Sequence, residues 1–194
     1  GAEVDPWLTL YHWDLPQALQ DRGGWTARDT AARFADYAGI VHDALGDRVR
    51  NWSTLNEPMC SALLGHMSGQ HAPGRRDPVA AARATHHLLL GHGLATRLLR
   101  ERGAESLGVT LNFTPMTPAT DRPEDVDAAR RLDGQQNRMF LEPIVHGAYP
   151  ADVQADLAEA GAPLPIEDGD LEVIAAPLDW LGVNYYFEST VRVG

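Results

Sequence analysis

The chain has no lysine. All 16 of its basic side chains are arginine, set against 27 acidic ones, and the formal net charge at pH 7 is −11. This deficit of cationic groups argues against nucleic-acid backbones and anionic membrane surfaces as partners, since both are held through basic patches. Cysteine is almost missing too. Cys60 stands alone, which excludes an internal disulfide and a zinc site built from thiolates. No run of about 18 apolar residues occurs, so no transmembrane helix is expected. The region after Gly1 lacks the apolar core of a secretory signal. The expectation is a cytoplasmic protein, from a chain that reads as beginning inside a longer one. Glycine-rich phosphate loops of the GxGxxG and P-loop kinds are absent, so a nucleotide cofactor has no support.

What is present is an ordinary globular composition, 44% apolar and 22% charged over 194 residues. That is enough for a single domain, residues 1–194, with a sizeable core. Residues 1–6 form a polar lead-in. Residues 7–12 are a nearly continuous apolar run, as in a strand covered on both faces. Residues 16–19 start a short helical turn, which Gly23-Gly24-Trp25 breaks. Thr26, with Asp29 three residues on, reads as a helix N-cap, and Phe34, Ala38, Val41 and Leu45 follow at helical spacing up to Gly46. Residues 49–55 read as a second strand and residues 65–74 as a loop. Asp77-Pro78 marks a helix start, with Asp as cap and Pro in the first turn; the helix runs to about residue 102. A third strand covers residues 106–112. Helices follow from Arg122-Pro123 to about residue 138 and over about residues 151–160, and a fourth strand covers residues 180–186. Strands alternating with helices imply parallel pairing through right-handed crossovers.

Each strand ends on polar or aromatic groups: His12, Asn56 with Glu57, Asn112, and Asn184 with Tyr186. In a parallel barrel that is the end where active sites are built. The sharpest of these ends is Trp52-Ser53-Thr54-Leu55-Asn56-Glu57-Pro58, a β-rich run closed by a proline that cannot extend it. Plainer readings stand beside the chemical ones. Glu57 could complement a helix dipole, His12 could be a satisfied core histidine, and Asn112 could close off a strand end. Trp25, Trp52 and Trp180 read as core. His86, His87 and His92 lack the i, i+4 spacing of a zinc helix and read as packing.

Four segments together resemble glycoside hydrolase family 1, the β-glucosidase family. They are Thr9-Leu10-Tyr11-His12-Trp13-Asp14-Leu15-Pro16, Thr54-Leu55-Asn56-Glu57-Pro58, His71-Ala72-Pro73-Gly74 and Leu181-Gly182-Val183-Asn184-Tyr185-Tyr186, in the family's order. The resemblance implies an α/β fold, a partial (β/α)8 TIM barrel with about four parallel strands, the third to the sixth. It implies retaining hydrolysis of a β-linked glucoside or short oligosaccharide by two carboxyl groups about 5 Å apart, with no metal or other cofactor. On that basis Glu57 is the general acid/base, and a barrel mouth that excludes water would hold its proton until needed. Asn56 would bind the sugar 2-OH, His12 a glycone hydroxyl, and Trp13 would shape the pocket wall. Asn112 and Asn184 would orient groups around the sugar. His71 could touch an aglycone.

Tyr186 corresponds to a tyrosine that hydrogen-bonds the nucleophile. The nucleophile's Thr-Glu-Asn-Gly motif is not in this chain, nor are the first two strands with their sugar-binding Gln and supporting Arg. Ile166-Glu167-Asp168-Gly169 shares letters with that motif, but it precedes the last strand in a turn-rich segment and is rejected. The isolated chain is therefore expected to be inactive. Two other readings stay open: a non-catalytic carbohydrate-binding or truncated barrel piece, and a 6-phospho-β-glucosidase, whose phosphate-binding residues would lie outside this chain.

Overall fold

A computed structural model describes residues 4–194; of the polar lead-in, residues 1–3 lie outside the described residues. Its β-branched and aromatic runs pair side by side. Strands β1 (Trp7–Tyr11), β2 (Asn51–Asn56), β3 (Ser106–Phe113) and, after a short β4 (Met116–Pro118), β5 (Trp180–Tyr185) give one parallel sheet in the order β1-β2-β3-β5. β4 pairs with β6 (Ser189–Val191), also parallel, as a separate two-stranded ribbon. Each ribbon strand is three residues long, too short to leave a period in the sequence. The helices are α1 (Gln17–Gln20), α2 (Asp29–Leu45), α3 (Pro78–Glu101), α4 (Pro123–Asp133), α5 (Met139–His146), α6 (Ala151–Glu159) and α7 (Asp170–Ile174). Among the described residues none is long and apolar enough to cross a membrane.

The helix starts divide. α3 begins as its sequence dictates: Asp77 Oδ1 accepts the Val79 and Ala80 amides at 2.9 and 3.1 Å, with Pro78 in the first turn. Thr26 does not cap α2. Its hydroxyl turns back to the Gly23 carbonyl at 2.6 Å and closes a 3-10 turn (Gly24–Thr26), and the α-helix starts at Asp29 with Arg28 at its N-cap. The second strand starts at Asn51 rather than residue 49. Residues 65–67, expected as loop, belong to a π-helical turn (Cys60–Met67). The helix opened by Pro123 continues through a second π-turn (Gly134–Arg138) into α5, past its expected end.

The sheet has a helix-covered face and a concave inner face. Trp52 lies against His42 of α2, with ring centroids 5.2 Å apart, and both Trp52 and Thr54 point into the helix layer. Ser53 points the other way, its Oγ 3.3 Å from Thr110 Oγ1. The concavity is pronounced. Trp7 and Trp180, on the two outermost strands, meet with ring centroids 4.9 Å apart at an edge-on angle of 65°. Trp180 lies over Gly108, where a Cβ would stand 2.2 Å from its ring; only glycine fits beneath it. This curl is that of a barrel arc.

Covering is one-sided at the margins, contrary to the expectation for the first strand. Trp7 on the open inner face is 59% exposed. On the outer face of β5, Leu181, Val183 and Tyr185 are 41%, 58% and 60% exposed. The packed core lies between α3 and the middle strands, where Leu88, Leu89, Leu99, Leu107 and Leu111 are buried. Truncating any one to alanine would cost about 2–5 kcal/mol. The helix layer also absorbs histidines. His86 on α3 contacts Asp170 Oδ2 through Nε2 at 2.8 Å and Tyr149 Oη through Nδ1 at 3.0 Å, while Arg28 donates twice to the same carboxylate at 2.9 and 2.5 Å. His87 Nδ1 donates to the Trp25 carbonyl at 2.9 Å. Both rings fasten α3 to its neighbours.

Candidate active site

The site begins with an irregularity in β2. Ser53 pairs with Gly108, yet Asn56 pairs with Thr110: three steps along β2 match two along β3. Without the bulge, the same residues in plain alternation would give Asn56 the parity of Trp52 and Thr54 and point it at the helices. With it, Asn56 shares the face of Ser53 and Thr110. A bulge re-aims a side chain in just this manner. Glu57 follows at the strand end, with its amide donating to the Thr110 carbonyl at 2.8 Å and its backbone in the left-handed region, φ +46°. The only other non-glycine residue with positive φ among the described residues is Trp13, φ +79°. Such backbone costs on the order of 1–3 kcal/mol per residue and clusters at functional sites.

The two strained positions are linked through Asn56. Trp13 Nε1 donates to the Asn56 carbonyl at 2.9 Å. Asn56 Nδ2 donates to His12 Nε2 at 3.2 Å. From the end of β5, Asn184 Nδ2 donates to Glu57 Oε1 at 2.6 Å and to Asn56 Oδ1 at 3.3 Å. Tyr186 Oη donates to the same Glu57 oxygen at 3.3 Å, and the carboxylate beside it raises the phenol's pKa. Six of the seven residues singled out from sequence thus form one connected cluster, assembled from the ends of β1, β2 and β5. The seventh, Asn112, stands opposite Asn184 in the β3–β5 register, on the inner face with Thr110, and takes no side-chain hydrogen bond among the described residues. His71 lies against Trp13, with ring centroids 5.3 Å apart.

The structure adds Cys60. Its thiol donates to Glu57 Oε2 at 3.4 Å, so both carboxylate oxygens are engaged. Burial first, then the Glu57 hydrogen bond, pushes the thiol pKa up to about 12. The signal in the sequence is spacing: Cys60 is three residues beyond Glu57, where a helical turn brings side chains together. Glu57 itself is 5% exposed and Asn56 8%, although the inner face around them is open. A cavity of about 440 Å³ lies to one side, bounded by Trp13, Ser61 and His66. Chemically, the cluster offers one carboxyl group held by amide, phenol and thiol donors, ringed by hydroxyl-binding side chains. It can give or take a proton.

Residues 1–193 match the family described as Glycosyl hydrolase family 1. The chain is 54% identical over 186 residues to thermostable beta-glucosidase B of Thermobispora bispora, covering 96% of this chain and 38% of that protein. It is 44% identical to a bifunctional beta-D-glucosidase/beta-D-fucosidase of Bifidobacterium breve, covering 98% of this chain and 41% of that one. Among solved structures, the psychrophilic beta-glucosidase BglU of Micrococcus antarcticus superposes with a TM-score of 0.93 at 55% identity, over 95% of this chain and 40% of that one. The chain therefore spans about two fifths of the length of these relatives. Its four parallel strands are part of the (β/α)8 TIM barrel of such enzymes. By sequence and by fold, the chain belongs to glycosyl hydrolase family 1.

Proposed function

We propose that this chain supplies the acid/base half of a retaining β-glucosidase site, within one barrel-derived domain over residues 1–194. The observation that carries the reading is the Glu57 carboxylate itself. It ends a barrel strand on strained backbone and is held at 2.6 Å by Asn184 from another strand end. Retaining hydrolysis uses one carboxyl group to protonate the leaving oxygen and then to deprotonate water, while a second attacks the anomeric carbon. Glu57 takes the first role. The second carboxylate comes from a strand that this chain does not contain.

Asn56 receives the sugar 2-OH, a contact that strengthens toward the oxocarbenium-like transition state. His12 donates to a glycone hydroxyl and Trp13 walls the pocket. Asn184 orients Glu57, and Asn112 faces the sugar from the neighbouring strand. Tyr186 shares its hydroxyl between Glu57 and the nucleophile when that residue is present. The substrate is a β-linked glucoside or short oligosaccharide, and no cofactor takes part.

The test uses a hybrid in which this chain replaces the matching 186-residue segment of the Thermobispora bispora enzyme. Glu57→Gln in the hybrid is expected to lower kcat/KM on an unactivated aryl β-glucoside by about 10²–10⁴-fold, and added azide, which needs no general base, to restore turnover on an activated one. Undiminished hydrolysis of the unactivated substrate would remove Glu57 from the acid/base role. The isolated 194-residue chain is expected to show no turnover.

A further inference from the structure

His92 on α3 is fully buried, yet one of its ring nitrogens has no partner. Its Nδ1 lies 2.6 Å from Thr54 Oγ1, and Thr54 Oγ1 donates onward to the Gly108 carbonyl at 3.4 Å. Whichever atom gives the proton across the 2.6 Å contact, Nε2 is left without a partner. A leucine would fill this place without burying an unpaired nitrogen. The histidine's worth lies in what it holds.

What it holds is the bulge. Thr54 and Leu55 are the residues between the two registers, Ser53 with Gly108 and Asn56 with Thr110. Ser53 Oγ donates to the Leu55 carbonyl at 3.1 Å. The extra residue is thus tied from both faces, by Ser53 inside and by the His92–Thr54 pair from the helix layer. A ladder interrupted by a bulge gives up regular backbone pairing, and these side-chain bonds take its place. We propose that His92 is a positioning residue for the reaction: it pins the β2 bulge that turns Asn56 and Glu57 onto the inner face. The proposal rests on the acid/base reading of Glu57.

Loss of positioning has a signature that loss of stability lacks. A substrate with a strongly acidic leaving group departs without protonic help, whereas a poor leaving group needs the acid in place. In the hybrid enzyme, His92→Leu is expected to lower kcat/KM on an alkyl β-glucoside by about 10–100-fold more than on 2,4-dinitrophenyl β-glucoside, whose hydrolysis loses only the Asn56 contact to the 2-OH. His92→Asn, whose amide can donate or accept where Nδ1 stands, is expected to recover most of the lost selectivity. Thr54→Val, of equal volume, removes the other half of the pair and gives the same readout should His92→Leu fail to fold. An equal loss on both substrates, or no loss from either variant, overturns the proposal. Glu57→Gln is the reference. If it shows no leaving-group dependence, the acid/base reading fails and the proposal falls with it. If it shows that dependence and the His92 and Thr54 variants do not, only the positioning role fails.

Discussion

Asn184 and Glu57 are 127 residues apart in sequence, and the Asn184 amide donates to Glu57 Oε1 at 2.6 Å. The bond crosses from β5 to the end of β2, over the intervening β3. Amide-to-carboxylate bonds of this kind are charge-assisted and fix a rotamer as well as contributing energy. Asn184→Ala in the hybrid enzyme should free the carboxylate and lower kcat on an unactivated aryl β-glucoside by about 10–100-fold. Asn184→Asp should be worse, because it sets a second negative charge at bonding distance. Steady-state kinetics on the two variants, with circular dichroism to establish folding, checks the order; equal activity in all three proteins contradicts it.

Acid should unfold this chain in a particular range. Burial lowers the pKa of His66, His86, His87 and His92, the last to about 4. Their unfolded values lie near 6.5, so between the two limits the unfolded state binds more protons, and native stability falls as pH falls. The loss therefore starts at about pH 6.5 and for His92 is complete near pH 4, reaching on the order of 3 kcal/mol for that residue. Below that range Asp170 adds to the loss. Burial works against its charge, but the Arg28 and His86 hydrogen bonds outweigh burial and hold its carboxyl well below the usual range. Urea unfolding midpoints at pH 7, 5.5 and 4.5 measure this. A midpoint that stays level across them refutes it.

Cys60 should be inert while the protein is folded. Alkylation requires the thiolate, and this thiol is 5% exposed with its pKa pushed up to about 12. Iodoacetamide at pH 8 is expected to leave the native chain unmodified and to label it fully in urea, as read by intact mass. Rapid labelling of the native chain would place Cys60 in an environment other than the one beside Glu57.

The outer face and free edge of β5 should make the isolated chain associate. Leu181, Val183 and Tyr185 are exposed together on the strand that ends the sheet, and an uncovered apolar edge is a template for pairing. Static light scattering at micromolar concentration should report species larger than 21.2 kDa. Val183→Lys, which places a charge on that edge, should shift the distribution toward the monomer. A monomeric parent chain, or no response to the lysine, defeats the expectation.

Much of this architecture was legible from residue order. The strand–helix alternation predicted the parallel sheet, and Asp77-Pro78 marked the start of α3 because capping is local chemistry written in adjacent residues. The strand-end positions brought His12, Asn56, Glu57, Asn184 and Tyr186 together. What escaped was set by distant contacts. Thr26 carries the letters of a cap, but its hydroxyl satisfies Gly23, and no local pattern distinguishes the two outcomes. The π-turn after Glu57 looks like loop by composition because Gly65 and His66 are weak helix formers; packing against α3 overrides that preference. The β2 bulge is a mismatch between two strands, so it cannot be read from one of them.

That mismatch has a consequence for how sequences of this kind are compared. Pairing β2 with β3 in unbroken register, with the same residues and no bulge, would leave every functional side chain in place along the chain and send Asn56 to the wrong side of the sheet. The amide would then face α3, in a layer with no room for sugar. Position here is encoded by cross-strand pairing as much as by identity. A relative one residue shorter at this point, with Asn-Glu-Pro intact, would pair in regular register with its Asn still on the inner face, so it is expected to keep the site without needing the bulge.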